Sequence, residues 1–379
     1  MGRGARSTRW GRRIVSVVGT RPEAIKMAPV VRAIADRPHL RQELLLTGQH
    51  AGLAPMFAGV GPIHVEELPF DGRSRSPARL REALHGAIWT HLKPDRPDLV
   101  LVHGDTASAI AGALAARDCA VPVGHVEAGL RSFDIRQPWP EEGNRIVIDT
   151  LSELLFAPTE EAVRNLRAEW RVKGHIHLTG NSGIDALLQA RERIRRDPEV
   201  SDGARRTVLV TCHRKENQGA PARNVCAALR RLPEELPIDI VVALHTNPQV
   251  RQAMEEPLRG AAHVRLLEPL DYPDMVALME RSWLILTDSG GLQEEGPALG
   301  KPVFVLRNTT ERPEGLVSAA VELIGTEEER IVAGVRTLFH DADKYAVMSR
   351  PCLPFGDGRA APRIAAAIDD WFDSRRLSR

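Results

Sequence analysis

The sequence predicts an α/β fold made of two doubly wound, Rossmann-like domains that face a central cleft. Apolar runs of strand length alternate with longer amphipathic segments, which is the βαβ rhythm of parallel sheets. This rhythm pauses in the charged segment 175–200 and then restarts. A chain of 379 residues is also longer than one compact core usually supports, which favours two domains.

The first domain is predicted over residues 14–180. Its strands are expected in "RIVSVVG", "ELLLTG", "DLVLVHGD", "VPVGHVEAG" and "ELLFAPT". A helix is predicted from about Pro22 to Asp36, and the Ala-rich "TASAIAGALAARD" is typical of another helix packed on a sheet. The basic segment before this domain, residues 1–13, lacks the apolar core of a signal peptide and is predicted to be a disordered tail; an interaction arm is the alternative.

The second domain is predicted over residues 181–361. Its strands are expected in "RTVLVTCHR", "IDIVVALHTNP", "HVRLLEPL", "WLILTDSGG", "PVFVLRN" and "AVELIG". The last helix, at about residues 362–379, is predicted to return and pack on the first domain.

Composition and charge exclude several classes of protein. Charged residues make up 27% and apolar residues 43%, and the net charge is +1, so nothing favours binding to nucleic acid or to a membrane surface. The apolar runs are too short to span a bilayer. The four cysteines lie far apart and indicate reduced thiols in the cytoplasm, not a disulfide framework or a metal site.

The stretch "WLILTDSGGLQEEGPALGKPVFVL" predicts a ligand site at a strand end. Ser289, Gly290 and Gly291 join a buried strand to a helix, where unpaired N–H groups and the helix dipole favour phosphate. Glu294 and Glu295 follow within one turn and can accept from ribose hydroxyls. A nucleotide diphosphate offers both kinds of group; a glycine turn with acidic residues that complement the dipole is the alternative.

Other loops after predicted strands also carry charged side chains. Arg21 and Lys26 flank the first turn of a helix, where an anion or only solvent could balance them. Asp105, Glu127 and His213 each follow a strand, and Glu141 lies in a Pro-rich loop with a second carboxylate, Glu142, and Arg145. Each alone is more commonly a helix cap, but together they favour acid/base chemistry at one cleft. There is no GxGxxG after the first strand, no GxxxxGKS and no HExxH, so bound NAD, a P-loop and a zinc site are not predicted.

Read together, these motifs resemble the non-hydrolysing UDP-N-acetylglucosamine 2-epimerases over roughly residues 13 to 370. The matched segments are "GTRPEAIKMAP", "HGDT", "HVEAGLR", "PWPEEGNR", "LTDSGGLQEE", "LGKPV", "TTERPE" and "PFGDG". The resemblance implies the glycosyltransferase-B fold, a homodimer, and interconversion of UDP-GlcNAc and UDP-ManNAc without a metal or another cofactor. The implied route is anti elimination of UDP to 2-acetamidoglucal, followed by return of UDP with inversion at C2.

The same resemblance implies roles for individual residues. The catalytic set carried over is Asp105, Glu127, Glu141 and His213. The substrate-binding set is Arg21, Lys26, Met275, Ser289, Gly290, Gly291, Glu295 and Arg312. Which carboxylate removes the C2 hydrogen and which returns it is left open.

Several positions depart from the family pattern. Ala51 and Gly52 replace a long polar pair of the activator site, and the segment "FDGRSRSPARLREAL" departs as well, which predicts weak or absent activation by UDP-GlcNAc. Near the uracil side, Leu270 and Met275 stand where relatives commonly carry Gln and Phe, and Cys212 stands where Gly is usual. A modified UDP-HexNAc as substrate, a glycosyltransferase, a hydrolysing epimerase and a nucleotide-sugar sensor therefore remain alternatives.

Overall fold

The structure is a computed structural model that describes residues 11–61, 63–69, 76–194, 205–214 and 217–377. The chain forms two compact units: the first runs to Ala186 and resumes at Gly356, and the second is Leu187–Phe355. Each unit has a parallel sheet with alternating helices, which confirms the predicted α/β, doubly wound fold. Residues 1–10 of the predicted tail and residues 70–75 of the departing segment lie outside the described residues, whereas Arg12 and Arg13 begin the first strand.

The strands follow the buried apolar runs of the sequence. β4 (LVLVH) and β11 (LILT), for example, are buried along their whole length, as expected for strands covered on both faces. The strands are β1 Arg12–Val18, β2 Leu40–Leu46, β3 His64–Glu67, β4 Leu99–His103, β5 Val123–Val126, β6 Leu154–Ala157, β7 His175–Leu178, β8 Arg206–Thr211, β9 Ile238–Ala243, β10 Val264–Leu267, β11 Leu284–Thr287, β12 Val303–Val305 and β13 Val321–Leu323.

Several helices begin at side-chain caps that the sequence provides. Thr20 and Thr106 each accept a hydrogen bond from the backbone N–H three residues later, which satisfies a donor that the helix itself leaves open. The helices are α1 Arg21–Ala35, α2 Pro77–Leu92, α3 Ala107–Asp118, α4 Glu141–Leu151, α5 Glu160–Ala168, α6 Ser182–Ile194, α7 Ala220–Glu235, α8 Pro248–Leu258, α9 Tyr272–Arg281, α10 Gly290–Ala298, α11 Pro313–Val317, α12 Glu328–His340, α13 Ala342–Met348 and α14 Ala360–Leu377, with a 3₁₀ turn at Ala54–Phe57.

The strand order in each sheet creates a position where ligands commonly bind. The first unit has the order β3-β2-β1-β4-β5-β6-β7, and the second has β10-β9-β8-β11-β12-β13. The direction of winding reverses between β1 and β4 in the first unit and between β8 and β11 in the second. Open parallel sheets bind ligands outside the carboxyl ends of the strands at such a switch point.

The cores lie on the faces of the two sheets. In the first unit, α14 packs with α1 through Ile364, Ile368 and Trp371, while α2 and α3 cover the opposite face. In the second unit, α7 and α12 pack on β8 and β11. Among the described residues, no helix is both long and apolar enough to cross a membrane.

Candidate active site

The switch point of the first unit brings the β1–α1 and β4–α3 loops together. Glu23, in the first turn of α1, is buried and accepts the backbone N–H groups of Gly19 (2.8 Å) and Thr20 (2.7 Å). Its other oxygen accepts the hydroxyl of Thr106, at the start of α3. Burial raises the pKa of Glu23 to about 7, although these hydrogen bonds lower it. Glu23 therefore joins the two loops, a role that sequence reasoning missed although the Thr-x-x-Glu capping pattern was visible.

Lys26 and Glu127, both predicted site residues, form an ion pair in the first unit. Their side chains are each 11% exposed, so the pair is largely withdrawn from water. Glu127 follows β5 and has a φ of +67°, a conformation that residues other than glycine rarely adopt. His103 Nε2 lies 3.7 Å from the Glu127 carboxylate, and burial lowers the pKa of His103 to about 4, so this imidazole is neutral at pH 7.

Asp105 is held by two residues of α4. Arg145 Nε donates to its carboxylate at 3.0 Å, and the Asn144 side-chain amide donates to its backbone carbonyl at 2.8 Å. The Asp105 side chain is 25% exposed, so it is oriented by the protein yet reachable from solvent.

The structure separates the two adjacent carboxylates at the start of α4. Glu142 is buried and accepts the backbone N–H groups of Ser132 (3.0 Å) and Phe133 (3.2 Å), so it shapes the loop before the helix. Glu141, the predicted catalytic residue, is half-buried.

The second unit places His213 and the Ser-Gly-Gly turn on neighbouring strands. β8 and β11 pair in parallel, and the hydroxyls of Thr211 and Thr287 at their ends lie 2.6 Å apart. His213 follows the first of these strands, and Ser289 follows the second. The two predicted ligand loops therefore share one edge of the sheet.

Asp288, which the sequence analysis did not single out, orders the loop that carries His213. Its fully buried carboxylate accepts the backbone N–H groups of His213 and Arg214, each at 2.8 Å, and the Asn217 amide at 2.9 Å. It also lies 3.2 Å from His213 Nδ1. The His213 ring stacks on His245, with centroids 5.5 Å apart. The sequence feature that could have pointed to Asp288 is its position directly before the Ser-Gly-Gly turn.

Arg312 lies over the first turn of α10. A Cβ atom at Gly290 would approach its guanidinium carbon to 2.7 Å, so only glycine permits this arrangement. Arg312 Nε donates to Glu294 at 2.6 Å, and its guanidinium also pairs with Glu311. Burial opposes ionisation of Glu311, but Arg312 and Arg307 hold its pKa well below the usual range. The Arg312 guanidinium is therefore a fixed cation beside the N–H groups at the start of α10.

The two carboxylates that follow the glycine turn have different partners. Glu294 pairs with Arg312, whereas Glu295 accepts the Tyr272 hydroxyl at 2.9 Å. Burial and the nearby Glu295 carboxylate raise the pKa of Tyr272, so the phenol stays protonated and donates. Met275, one turn further along α9, is half-buried. The predicted ribose acceptor, Glu295, is thus oriented by the Tyr272 hydroxyl.

Within the described residues, the group of carboxylate and imidazole atoms close enough to hold a metal ion is Glu43, Glu66 and His91. It belongs to β2, β3 and α2, not to either switch point. His91 lies 2.9 Å from Glu43 and 3.2 Å from Glu66, and Arg13 also donates to Glu43. These atoms therefore satisfy one another.

The fold places the chain among two-unit α/β proteins of the glycosyltransferase-B type. The structure is similar to that of CalG4, the calicheamicin glycosyltransferase, with a TM-score of 0.61 and coverage of 96% of this chain and 99% of that one. Sequence identity to CalG4 is 16%, so this likeness shows the fold alone.

Comparison with known proteins identifies the family. The family model described as UDP-N-acetylglucosamine 2-epimerase matches residues 32–369. The UDP-N-acetylglucosamine 2-epimerase of Salmonella typhimurium is 41% identical over 375 residues, which cover 95% of this chain and 99% of the relative. The UDP-GlcNAc 2-epimerase of Neisseria meningitidis bound to UDP-GlcNAc superposes with a TM-score of 0.87 at 35% identity, covering 94% of this chain and 100% of that one. The chain belongs to the UDP-N-acetylglucosamine 2-epimerase family.

Proposed function

We propose that the protein is a non-hydrolysing isomerase that interconverts UDP-GlcNAc and UDP-ManNAc. The observation that carries the proposal is the pair of carboxylates held by cations at the carboxyl edge of the first unit, with Glu127 paired to Lys26 and Asp105 paired to Arg145. The full-length likeness to 2-epimerases, including one with UDP-GlcNAc bound, supports the substrate class.

The reaction proceeds by elimination and re-addition. A carboxylate removes the proton at C2 while the C1–O bond to UDP breaks, and the products are 2-acetamidoglucal and UDP. A phosphate oxygen of UDP then bonds to C1 while a protonated carboxyl group delivers a proton to the opposite face of C2. Acid/base groups on both faces are required, and Asp105, Glu127 and Glu141 are the residues proposed to supply them.

Departure of UDP requires stabilisation of the charge that develops on the leaving diphosphate. We assign this role to the backbone N–H groups of Gly290 and Gly291 and to the Ser289 hydroxyl, together with Arg312 and His213, because oriented donors and cations lower such a barrier. The Ser289 N–H itself donates to the Thr287 hydroxyl at 2.9 Å. Arg21 and Lys26 are the substrate-binding cations that we propose for the first unit. Glu295 accepts the ribose hydroxyls, and Met275 contacts the uracil.

No metal or nicotinamide is part of this proposal, because the chemistry is a balanced proton transfer and C–O cleavage. The guanidinium of Arg312, held by Glu294 and Glu311, supplies the positive charge that a divalent cation provides in many phosphate sites.

We further propose that activation by UDP-GlcNAc is weak or absent. Two polar residues of the activator segment remain, but both bond within their own unit: Gln49 accepts the Ser108 hydroxyl at 2.7 Å, and His50 accepts the Arg21 N–H at 3.3 Å. Ala51 and Gly52 offer no side-chain hydrogen bonds. A hyperbolic rate curve in UDP-GlcNAc, and turnover of UDP-ManNAc without added UDP-GlcNAc, are expected; strongly sigmoidal kinetics would contradict this.

We also propose that the protein is a homodimer located in the cytoplasm. All four cysteines are unpaired in the structure, which fits a reducing compartment. Light scattering of the purified protein tests the dimer directly, and a monomer at micromolar concentration would overturn that part.

The decisive experiment is proton NMR of UDP-GlcNAc with purified protein in D₂O, with EDTA and no added cofactor. UDP-ManNAc carrying deuterium at C2 is the expected product. Free ManNAc with UDP would instead identify a hydrolysing enzyme. If UDP-GlcNAc neither reacts nor exchanges, the proposed substrate is wrong, and modified UDP-HexNAc compounds are tested next.

A further inference from the structure

A buried histidine–aspartate pair lies behind the predicted catalytic carboxylates of the first unit. His125 belongs to β5 and Asp149 to α4, and both side chains are 0% exposed. His125 Nδ1 lies 2.7 Å from Asp149 Oδ1. The reaction described above uses neither residue, yet placing two such groups out of water is costly unless each finds polar partners.

The partners are backbone groups of the two catalytic loops. His125 Nε2 lies 2.8 Å from the Gly104 carbonyl, and because a carbonyl only accepts, Nε2 carries a hydrogen and donates it. Asp149 Oδ2 accepts the Gly129 N–H at 3.3 Å and pairs with Arg131 at 2.7 Å. Gly104 directly precedes Asp105 in the sequence, and Gly129 comes two residues after Glu127.

These loops contain three residues with positive φ, of which Glu127 is the one that is not glycine and needs support from its surroundings. Gly104, Glu127 and Gly129 have φ values of +61°, +67° and +86°. A non-glycine residue persists in this region only where its surroundings hold it there. At Gly129 a Cβ atom would approach the Ala162 carbonyl oxygen to 2.4 Å, so the backbone is also packed closely against α5.

We propose that His125 and Asp149 are positioning residues for epimerisation, and that they hold Asp105 and Glu127, two of the three proposed acid/base residues, in the positions that proton transfer requires. This inference rests on the proposed function. Asp149 lies one turn after Arg145, whose side chain holds the Asp105 carboxylate, so α4 controls both the backbone and the side chain of that residue. A displacement of about 1 Å at a reacting group commonly costs about 10²-fold in rate.

The test compares substitutions that break the pair with one that preserves its hydrogen bonds. Asp149→Ala removes the acceptor for His125, Gly129 and Arg131. Asp149→Asn keeps a carbonyl oxygen for the Gly129 N–H, and its NH₂ group can donate to His125 Nδ1. His91→Gln is the matched control, because it breaks another histidine–carboxylate pair of the same unit, with Glu43 at 2.9 Å, that bonds to no catalytic loop.

Epimerisation kcat and KM are measured for each full-length variant, and rates are corrected for the folded fraction by the stoichiometry of UDP binding. We expect Asp149→Ala to lower kcat by about 10²-fold with KM within threefold, by the positioning argument above. Asp149→Asn should recover at least tenfold of that loss, and His91→Gln should keep wild-type kcat. Should Asp149→Ala not fold, His125→Gln takes its place, with an expected loss of about tenfold.

Three results would overturn the inference. The first is a kcat within threefold of wild type for folded Asp149→Ala or, in its place, His125→Gln. The second is a loss in Asp149→Asn as large as in Asp149→Ala, and the third is an equal loss in the His91→Gln control. A wild type that neither epimerises nor exchanges C2 hydrogen refutes the proposed function and this inference with it, whereas an active wild type beside an equally active variant refutes the inference alone.

Discussion

Replacing Gly290 by alanine should weaken UDP binding by about 10- to 100-fold. The new Cβ would lie 2.7, 2.8 and 2.9 Å from the Cζ, Nη1 and Nη2 atoms of Arg312, closer than real contacts of this kind. The guanidinium must therefore move, although Glu294 holds it at 2.6 Å. One charge-assisted hydrogen bond is worth about 1.5–3 kcal/mol, which corresponds to the stated loss of affinity.

The assay is isothermal titration of the purified variant with UDP. Gly86→Ala is the control, because a Cβ atom at this position in α2 meets nothing within 4 Å. In either variant, alanine stabilises the helix by at most about 1 kcal/mol relative to glycine. A change in melting temperature therefore does not measure the displacement of the Arg312 guanidinium, and UDP affinity is the quantity to compare. A UDP dissociation constant for Gly290→Ala within threefold of wild type would refute the reasoning that Arg312 contacts the diphosphate.

Three further predictions concern the acid/base set, the ribose contact and pH. Glu127→Gln should lower both epimerisation and deuterium exchange at C2 by about 10²–10⁴-fold, because it removes a proton-transfer group, while UDP affinity stays within threefold. Tyr272→Phe removes the donor to Glu295 and should raise KM for the UDP-sugar about tenfold, with little change in kcat. The hydrogen bond with Glu43 raises the pKa of His91, so the stabilisation from its charged form is complete below about pH 6.5 and is lost as pH rises through the folded-state pKa. His91→Gln should therefore cost more stability to urea at pH 6 than at pH 9.

Each of these predictions has a result that contradicts it. Exchange in Glu127→Gln within tenfold of wild type would remove this residue from the acid/base set. A lower kcat with unchanged KM in Tyr272→Phe would assign the phenol to the chemical step. A stability difference for His91→Gln that is the same at pH 6 and pH 9 would show that the imidazole carries no charge in the fold.

The sequence predicted the α/β class because that signal is local. The strands β4 and β11 are apolar up to their last residue, so burial on both faces of a parallel sheet can be predicted from a few adjacent residues. The glycine turn at Ser289–Gly291 and the capped start of α1 are equally local patterns. The family likewise follows from motifs that stand in order along the chain.

Neighbouring carboxylates illustrate what sequence alone left undecided. Glu141 and Glu142 cannot be distinguished in the sequence. The fold shows that Glu142 accepts hydrogen bonds from the backbone N–H groups of the preceding loop. Glu294 and Glu295 are separated in the same way, since one faces Arg312 and the other Tyr272. In each pair, the two glutamates are adjacent in the sequence, but their contacts come from other segments of the chain. The local sequence around the glutamates does not specify those segments.

The sequence alone indicates which chemical groups stand at the ends of the strands, because strand ends and motifs are encoded by residues close together in the chain. The folded structure shows which of those groups are paired, oriented or used for support. Asp288 owes its role to the His213 N–H and Glu23 to the Thr106 hydroxyl, and these donors reach the two carboxylates only after neighbouring strands have paired. Hydrogen bonds and ion pairs act over a few ångströms in space, so their partners become defined only when the chain has folded.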